Sequence, residues 1–359
     1  MSFDLKGSWS VSAKKQPTRV LIVDDSPTMR SLIRFCLQND PRLEVVGEAA
    51  SALEARELVK SKSPDVMTLD VEMPGMSGLE FLRRLMRAKP MPVVMFSSLT
   101  AEGSESAITA LSLGAFECIL KPGPGAGQSS LECLPQMIHA AAQAHIGPVG
   151  RARSKNLTPQ QAFSNWNGKT VLIGASTGGV EALEFLVQKM PANCPPILIT
   201  QHMPAQFLAK FADRLNRIAK PKVRLAKEGD RPLPGEILIA PGGETHLVLV
   251  NPLDPKIHLL KAPKRTGHRP SVDEMMLSAQ AIANRVVGVI LTGMGNDGAE
   301  GMARLKAQGA TCLAQDEESS VVFGMPRVAI EKGGVDVVLP LAQLPNAILD
   351  MCSGLKRTS

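Results

Sequence analysis

Ser176 stands in Gly174-Ala175-Ser176-Thr177-Gly178-Gly179, directly after an apolar run at 170–173 and before a helix-like pattern. A serine on a tight strand-to-helix turn exposes its hydroxyl beside a helix N-terminus. That is the arrangement of an activated nucleophile next to an oxyanion site. A nucleophilic serine needs a base, and the base needs an orienting acid. His202 follows the apolar segment 196–201, and Asp297 follows 286–292 within Gly295-Asn296-Asp297-Gly298. His202 would take the proton from Ser176, while Asp297 would hold its tautomer and stabilise the imidazolium. Main-chain N–H groups at Thr177 and Met294 are the candidate oxyanion donors.

The pattern has competitors. The loop 174–179 could cradle a phosphate, but it has neither G-x-G-x-x-G spacing nor a Walker lysine. Asp297 could serve turn chemistry alone. A lone histidine is more often structural, and His139, His145 and His258 read that way. His246 and His268 are weaker catalytic candidates, with Glu244 and Asp273 as rival carboxylates. The chain order Ser, His, Asp differs from the Ser, Asp, His of α/β-hydrolases, so that fold is not expected.

A second constellation lies in the first third of the chain. Asp24 and Asp25 follow one apolar run, Asp70 another, Ser97 a third and Lys121 a fourth. In an open parallel sheet the C-terminal strand ends share one edge, where ligands bind. Three carboxylates there repel one another unless a cation intervenes, and Mg²⁺ suits an oxygen-only donor set. Such a site allows a carboxylate to attack phosphorus, with Lys121 as a point charge and Ser97 as a hydroxyl donor. An isolated Asp-Asp pair is more often a capped turn; the match of several residue types across strand ends favours chemistry.

These residues require a scaffold. Apolar runs at 19–23, 43–47, 65–69, 92–96 and 116–120 alternate with amphipathic patterns near 27–38, 51–62, 78–88, 103–113 and 130–145. They predict a doubly wound, flavodoxin-like unit with a five-stranded parallel sheet. Gly147-Pro148, a basic cluster and Pro159 break the alternation. A second α/β series then predicts strands near 170–175, 196–201, 236–240, 246–250 and 286–292, with helices near 179–190, 204–218 and 272–284. The stretch 222–262 reads as a small antiparallel insertion. The expected organisation is a loose tail at 1–18, a first domain at 19–145, a linker at 146–168 and a second, doubly wound hydrolase domain at 169–355.

The composition narrows the function. Aromatic residues make up 3% of the 359, with no tyrosine, which argues against base stacking and a nucleic-acid partner. The net charge of +6 is modest. A basic run, Lys256, Lys261, Lys264, Arg265 and Arg269, could attract an acidic protein surface or form a solvated loop. Six scattered cysteines without a C-x-x-C pair read as free thiols of a reducing compartment. No apolar run approaches a membrane span and no secretory signal is visible, so a cytoplasmic location without membrane insertion is expected.

The segment 19–145, with Val-Asp-Asp-Ser, Leu-Asp-Val-Glu-Met-Pro-Gly-Met-Ser-Gly-Leu and Leu-Lys-Pro at 120–122, resembles the response-regulator receiver family. The resemblance implies phosphorylation of Asp70 by a histidine kinase, with Asp24, Asp25, Asp70 and the main-chain carbonyl of Glu72 around Mg²⁺. Cys118 departs from that family, many members of which carry an aromatic switch residue there. From 169 onward, Ile-Gly-Ala-Ser-Thr-Gly-Gly, Gln-His-Met-Pro, Ile-Ala-Pro-Gly-Gly, His-Arg-Pro-Ser-Val-Asp and Leu-Thr-Gly-Met-Gly-Asn-Asp-Gly-Ala resemble the chemotaxis protein-glutamate methylesterase (CheB) family. This resemblance implies a Ser176, His202, Asp297 triad that hydrolyses glutamyl γ-methyl esters on the cytoplasmic signalling helices of chemoreceptors. It also implies deamidation of receptor glutamines. The alternatives are the same chemistry on another signalling system's receptor, and a non-catalytic receiver-linked binding module.

Overall fold

The computed structural model describes residues 16–98, 100–122, 131–144, 163 and 165–354. Most of the expected tail, most of the expected linker and His145 lie outside the described residues.

The first unit alternates strands β1 (Thr18–Val23), β2 (Leu43–Ala49), β3 (Val66–Asp70), β4 (Val93–Ser97) and β5 (Glu117–Leu120) with helices α1 (Pro27–Gln38), α2 (Ala52–Lys62), α3 (Gly78–Ala88), α4 (Ala101–Ser112) and α5 (Leu134–Gln143). All strands are parallel, in the order β2-β1-β3-β4-β5. The helix starts are written locally. Ser26, Ser51, Ser77 and Thr100 each accept a main-chain N–H from the first turn that follows. Strands β3 and β4 are buried along their whole length, as strands covered on both faces must be. The crossover therefore places the loops after β1, β3, β4 and β5 at one sheet edge.

The second unit is a seven-stranded parallel sheet. Its strands are β6 (Thr170–Ala175), β7 (Ile197–Gln201), β8 (Lys222–Leu225), β9 (Glu236–Ile239), β12 (Val286–Ile290), β13 (Thr311–Gln315) and β14 (Val337–Leu339), in the order β14-β13-β12-β6-β7-β9-β8. Helices α6 (Gly179–Gln188), α7 (Ala205–Ile218), α8 (Val272–Ser278), α9 (Ala299–Ala307), α10 (Met325–Glu331) and α11 (Leu344–Cys352) cover it. The small antiparallel element is a hairpin of β10 (Thr245–Val250) and β11 (Lys256–Lys261).

Two expectations change in detail. Only the later part of 222–262 is antiparallel; β8 and β9 extend the main sheet in parallel. Parallel neighbours usually need a long helical crossover, whereas here the short Pro- and Gly-bearing loop between β8 and β9 suffices. Arg224 secures that loop by pairing with Asp230 and Glu236. The helix expected at 272–284 also ends early. The Ser278 hydroxyl donates to the Met275 carbonyl and accepts the Leu249 N–H, and a 3₁₀ segment, Gln280–Arg285, leads into β12.

The two units pack closely. Helix α4 lies against α6 and α7. One apolar cluster takes in Ile108 and Leu111 of α4 together with Leu183 of α6 and Phe207 and Phe211 of α7. Val321 and Val322, after β13, pack against the first unit's other core layer, which contains Phe96 and Ile138.

Candidate functional site

The hydrolase candidates meet at the C-terminal ends of three adjacent strands, β12, β6 and β7. Ser176 ends β6. Its N–H donates to the Thr292 carbonyl at 3.1 Å, and its carbonyl accepts from Gly179 N–H at 2.7 Å and Gln201 Nε2 at 2.9 Å. The turn is held from three sides. Gly178 has φ +77°, a left-handed conformation, and a Cβ there would meet Val321 at 2.6 Å. A Cβ on Gly293 would meet Ser176 Cβ at 2.7 Å, so glycine at 293 lets the β12 loop close on the nucleophile.

His202 follows β7, and its main-chain N–H bonds the carbonyl of Ala175, the residue before Ser176. Its Nε2 lies 2.7 Å from Asp297 Oδ2. With Nε2 donating to the carboxylate, Nδ1 is left with a free lone pair. That nitrogen is buried without a hydrogen-bond partner. A buried basic nitrogen lacking a partner has lost its hydration for no structural return, which marks it as a proton acceptor in waiting.

Asp297 is compensated instead. Besides His202, it accepts from Ser271 Oγ at 2.8 Å, Val272 N–H at 2.7 Å and Asp273 N–H at 3.1 Å. Burial alone would raise its pKa, but the His202 bond, its charge and these donors outweigh burial and hold the carboxylate well below its ordinary range. The acid therefore stays ionised beside His202.

The rival residues separate cleanly. His246 Nε2 faces the Pro263 carbonyl and its Nδ1 accepts the Ser271 N–H, so both ring nitrogens are spent on structure. Asp273 accepts the Gly301 N–H at 2.7 Å and is not paired with a histidine. Glu244 is exposed. His139 and His258 face Asp40 and Glu228. His268 does enter the site: its ring stacks on His202 with centroids 3.7 Å apart and planes 3° from parallel. Burial and the neighbouring His202 push its pKa down to about 4, so it stacks as a neutral ring. Sequence reasoning ranked His268 low because a stack between residues far apart in the chain leaves no spacing signal. The cradle at 271–273 falls at the start of the helix expected near 272–284, where only Asp273 was singled out, as a rival carboxylate.

Thr177 is buried. Its carbonyl accepts the Thr292 hydroxyl at 3.0 Å, and its own hydroxyl donates to Glu117 Oε2 at 2.8 Å. Glu117 comes from β5 of the first unit. Met294 lines a cleft of about 580 Å³ between α5 and the loops around Asn296 and Val321; neither Ser176 nor His202 lines that cleft. Ser176 itself is only 8% exposed.

The basic run divides. Arg265 pairs with Glu274 and Glu300, and Arg269 donates to the carbonyls of Gly243 and Ala262, so both brace the loop. Lys261 and Lys264 are exposed.

At the first unit's edge, one carboxylate oxygen from each of Asp24, Asp25 and Asp70 lies within 4.8 Å of the others. Lys121 Nζ is 2.7 Å from Asp70 and 3.1 Å from Asp24. Burial pushes Asp70 up to about 6; Lys121 opposes that shift and Asp24 adds to it. Asp24 Oδ2 and Asp70 Oδ2 are buried, and the single Lys121 ammonium is shared between them against three carboxylates. A divalent cation with oxygen preference would supply the missing compensation, so the donor set fits Mg²⁺. Glu72 N–H donates to Asp70 Oδ1. The Ser97 hydroxyl donates to the Gly103 carbonyl at 2.7 Å and must rotate to reach a phosphoryl group. Cys118 is buried, and burial beside Glu117 drives its thiol pKa far up, so it behaves as an apolar residue.

Residues 171–348 match the family model of the CheB methylesterase, and residues 20–127 match that of the response regulator receiver domain. A protein-glutamate methylesterase/protein-glutamine glutaminase of Agrobacterium fabrum is 48% identical over 342 residues, covering 94% of this chain and 97% of that protein. A protein of Caulobacter vibrioides, named protein-glutamate methylesterase/protein-glutamine glutaminase 1, is 47% identical over 338 residues, covering 93% and 98%. The crystal structure of the Thermotoga maritima CheB methylesterase catalytic domain superposes with a TM-score of 0.50 at 39% identity, covering 52% of this chain and 99% of that one.

Proposed function

The chain belongs to the CheB methylesterase family, and from that premise we propose that it is a phosphorylation-activated protein-glutamate methylesterase and glutaminase with Ser176, His202 and Asp297 as its catalytic groups. The observation that carries the reading is the His202–Asp297 contact of 2.7 Å, which frees a buried Nδ1 on the strand end next to Ser176. Ser176 Oγ adds to the ester carbonyl while Nδ1 takes the hydroxyl proton, and Asp297 stabilises the resulting imidazolium. Main-chain N–H groups at Thr177 and Met294 are assigned to the oxyanion. Collapse of the adduct expels methanol, which carries that proton away and leaves the acyl group on Ser176. Water, deprotonated by the same nitrogen, then releases glutamate and restores the serine hydroxyl. A primary amide follows the same course with ammonia leaving, which makes glutamine a second substrate.

Residues 19–145 act as the receiver, 146–168 as the linker and 169–355 as the catalytic domain. Asp24, Asp25 and Asp70, with the Glu72 carbonyl, would hold Mg²⁺, which supplies charge neutralisation at the phosphoryl group. Asp70 takes that group from a histidine kinase, Lys121 pairs with it, and the Ser97 hydroxyl turns toward it. In the unphosphorylated state the receiver covers the hydrolase crevice; phosphorylation shifts the population away from that state. The substrates are chemoreceptor signalling helices, which places the protein in the cytoplasm. No helix among the described residues is long and apolar enough to cross a membrane. The test is methanol release from methylated receptor with and without a small phosphodonor. Release that rises with phosphodonor and vanishes in Ser176→Ala supports the reading, and its absence in both conditions overturns it.

A further inference from the structure

Receiver strand β5 places a side chain on Thr177, the residue that follows the nucleophile. Glu117 Oε2 accepts a hydrogen bond from Thr177 Oγ1 at 2.8 Å, and Glu117 Oε1 accepts the Cys118 N–H at 3.1 Å. The carboxylate is thus oriented from both sides. Burial raises its pKa, and the Thr177 and Cys118 hydrogen bonds oppose that shift. Burying a carboxylate costs free energy unless specific partners compensate it. A covering surface alone does not require such a group.

The reaction assigned above releases a glutamate side chain at Ser176, and Glu117 is a glutamate side chain bonded to Thr177, the next residue in the chain. We propose that Glu117 is a built-in product analogue. Its γ-carboxylate occupies the subsite that receives the substrate's γ-acyl group, and the Thr177 hydroxyl is the donor that holds that group during turnover. The inference rests on the esterase reading and deepens it. It names a substrate-binding side chain, and it makes resting inhibition competitive for one subsite rather than a matter of bulk alone. Glu117 is the first residue of β5, and Lys121, which pairs with Asp70, directly follows the strand's last residue, Leu120. Displacement of β5 at one end therefore reaches the occupied subsite at the other.

The experiment uses the full chain without phosphodonor and follows hydrolysis of N-acetylglutamate γ-methyl ester, a substrate small enough to probe the subsite. Glu117→Ala should raise the rate roughly 10- to 100-fold, the range expected for removing a charge-assisted bond in the resting state. The freed subsite should then bind N-acetylglutamate as a competitive inhibitor, with N-acetylaspartate, one methylene shorter, clearly weaker. Glu117→Gln should stay within a few-fold of wild type, because the amide has the same shape and still accepts the Thr177 hydroxyl. Phosphorylation of Asp70 to wild-type stoichiometry verifies that both variants are folded. The proposal is overturned if Glu117→Ala is no faster than wild type. It is equally overturned if Glu117→Gln releases the enzyme as fully as alanine, or if both acetylated acids inhibit the alanine variant equally. Absence of ester hydrolysis in phosphodonor-treated wild type would instead overturn the esterase reading beneath it.

Discussion

Both candidate sites lie where strands of a parallel sheet end, yet they treat their buried carboxylates in opposite ways. Asp297 has every local donor it needs: His202, the Ser271 hydroxyl and two main-chain N–H groups. Asp24 and Asp70 share one cation, Lys121, with Asp25 a third carboxylate beside them. The first arrangement is finished before substrate arrives, as electrostatic preorganisation demands. The second is left incomplete, so that a cation and a phosphoryl group have something to complete. A catalytic centre gains from being fixed, and a switch gains from being unsatisfied in one of its states.

The sharpest way to break that contrast is to remove the nucleophile. Ser176→Ala should lower methanol release by about 10³-fold or more while leaving Asp70 phosphorylation intact. Loss of phosphorylation as well would mean that the sites are not separable. Next in size is the switch. Asp70→Asn should abolish stimulation by phosphodonor, and chelation of Mg²⁺ should do the same to wild type. Neither treatment should alter the basal rate on a small ester, and a fall in that rate under chelator would place a metal in the hydrolase.

His268 sharpens the contrast from the preorganised side. His268→Ala removes the ring stacked on His202 and should reduce kcat about tenfold with little change in KM, since a loosened base loses its aim rather than its substrate. Rescue by His268→Phe would identify a positioning role, because phenylalanine stacks without titrating. The smallest effect concerns Asp273, whose pKa burial raises to about 6. A carboxyl raised above its unfolded value of about 3.9 adds stability that is complete below that value and is lost as pH climbs through the folded value. Asp273→Asn keeps an acceptor for Gly301 N–H but cannot ionise. Relative to wild type it should gain on the order of 1 kcal/mol between pH 4 and pH 7, read as a growing difference in Tm.

Much of this was open to reading from residues alone, for a physical reason. The helices α1 and α3 announce themselves through caps at Ser26 and Ser77, and each triad member follows an apolar run short enough to be a buried strand. Nothing in such runs encodes what they pair with. The strands β8 and β9 therefore looked like part of an antiparallel insertion, and β13 and β14 were not anticipated. The same limit governs the site. Ser271 was legible as a helix cap, but not as a donor to Asp297, because that bond closes only when two distant loops meet. His268 carried no mark of its stack, and Glu117, inside the apolar run 116–120, carried no mark of its bond to Thr177.

The apolar cluster joining α4 to α6 and α7 bears on how long a signal lasts. Ile108, Leu111, Leu183 and Phe211 are buried together while the units are closed. Opening them exposes oily surface to water at a cost proportional to its area. An opened form therefore carries the cost of that exposed area, and closure recovers it. In the proposed cycle the hydrophobic seam would act as a return spring, drawing the units together once the phosphoryl group is gone.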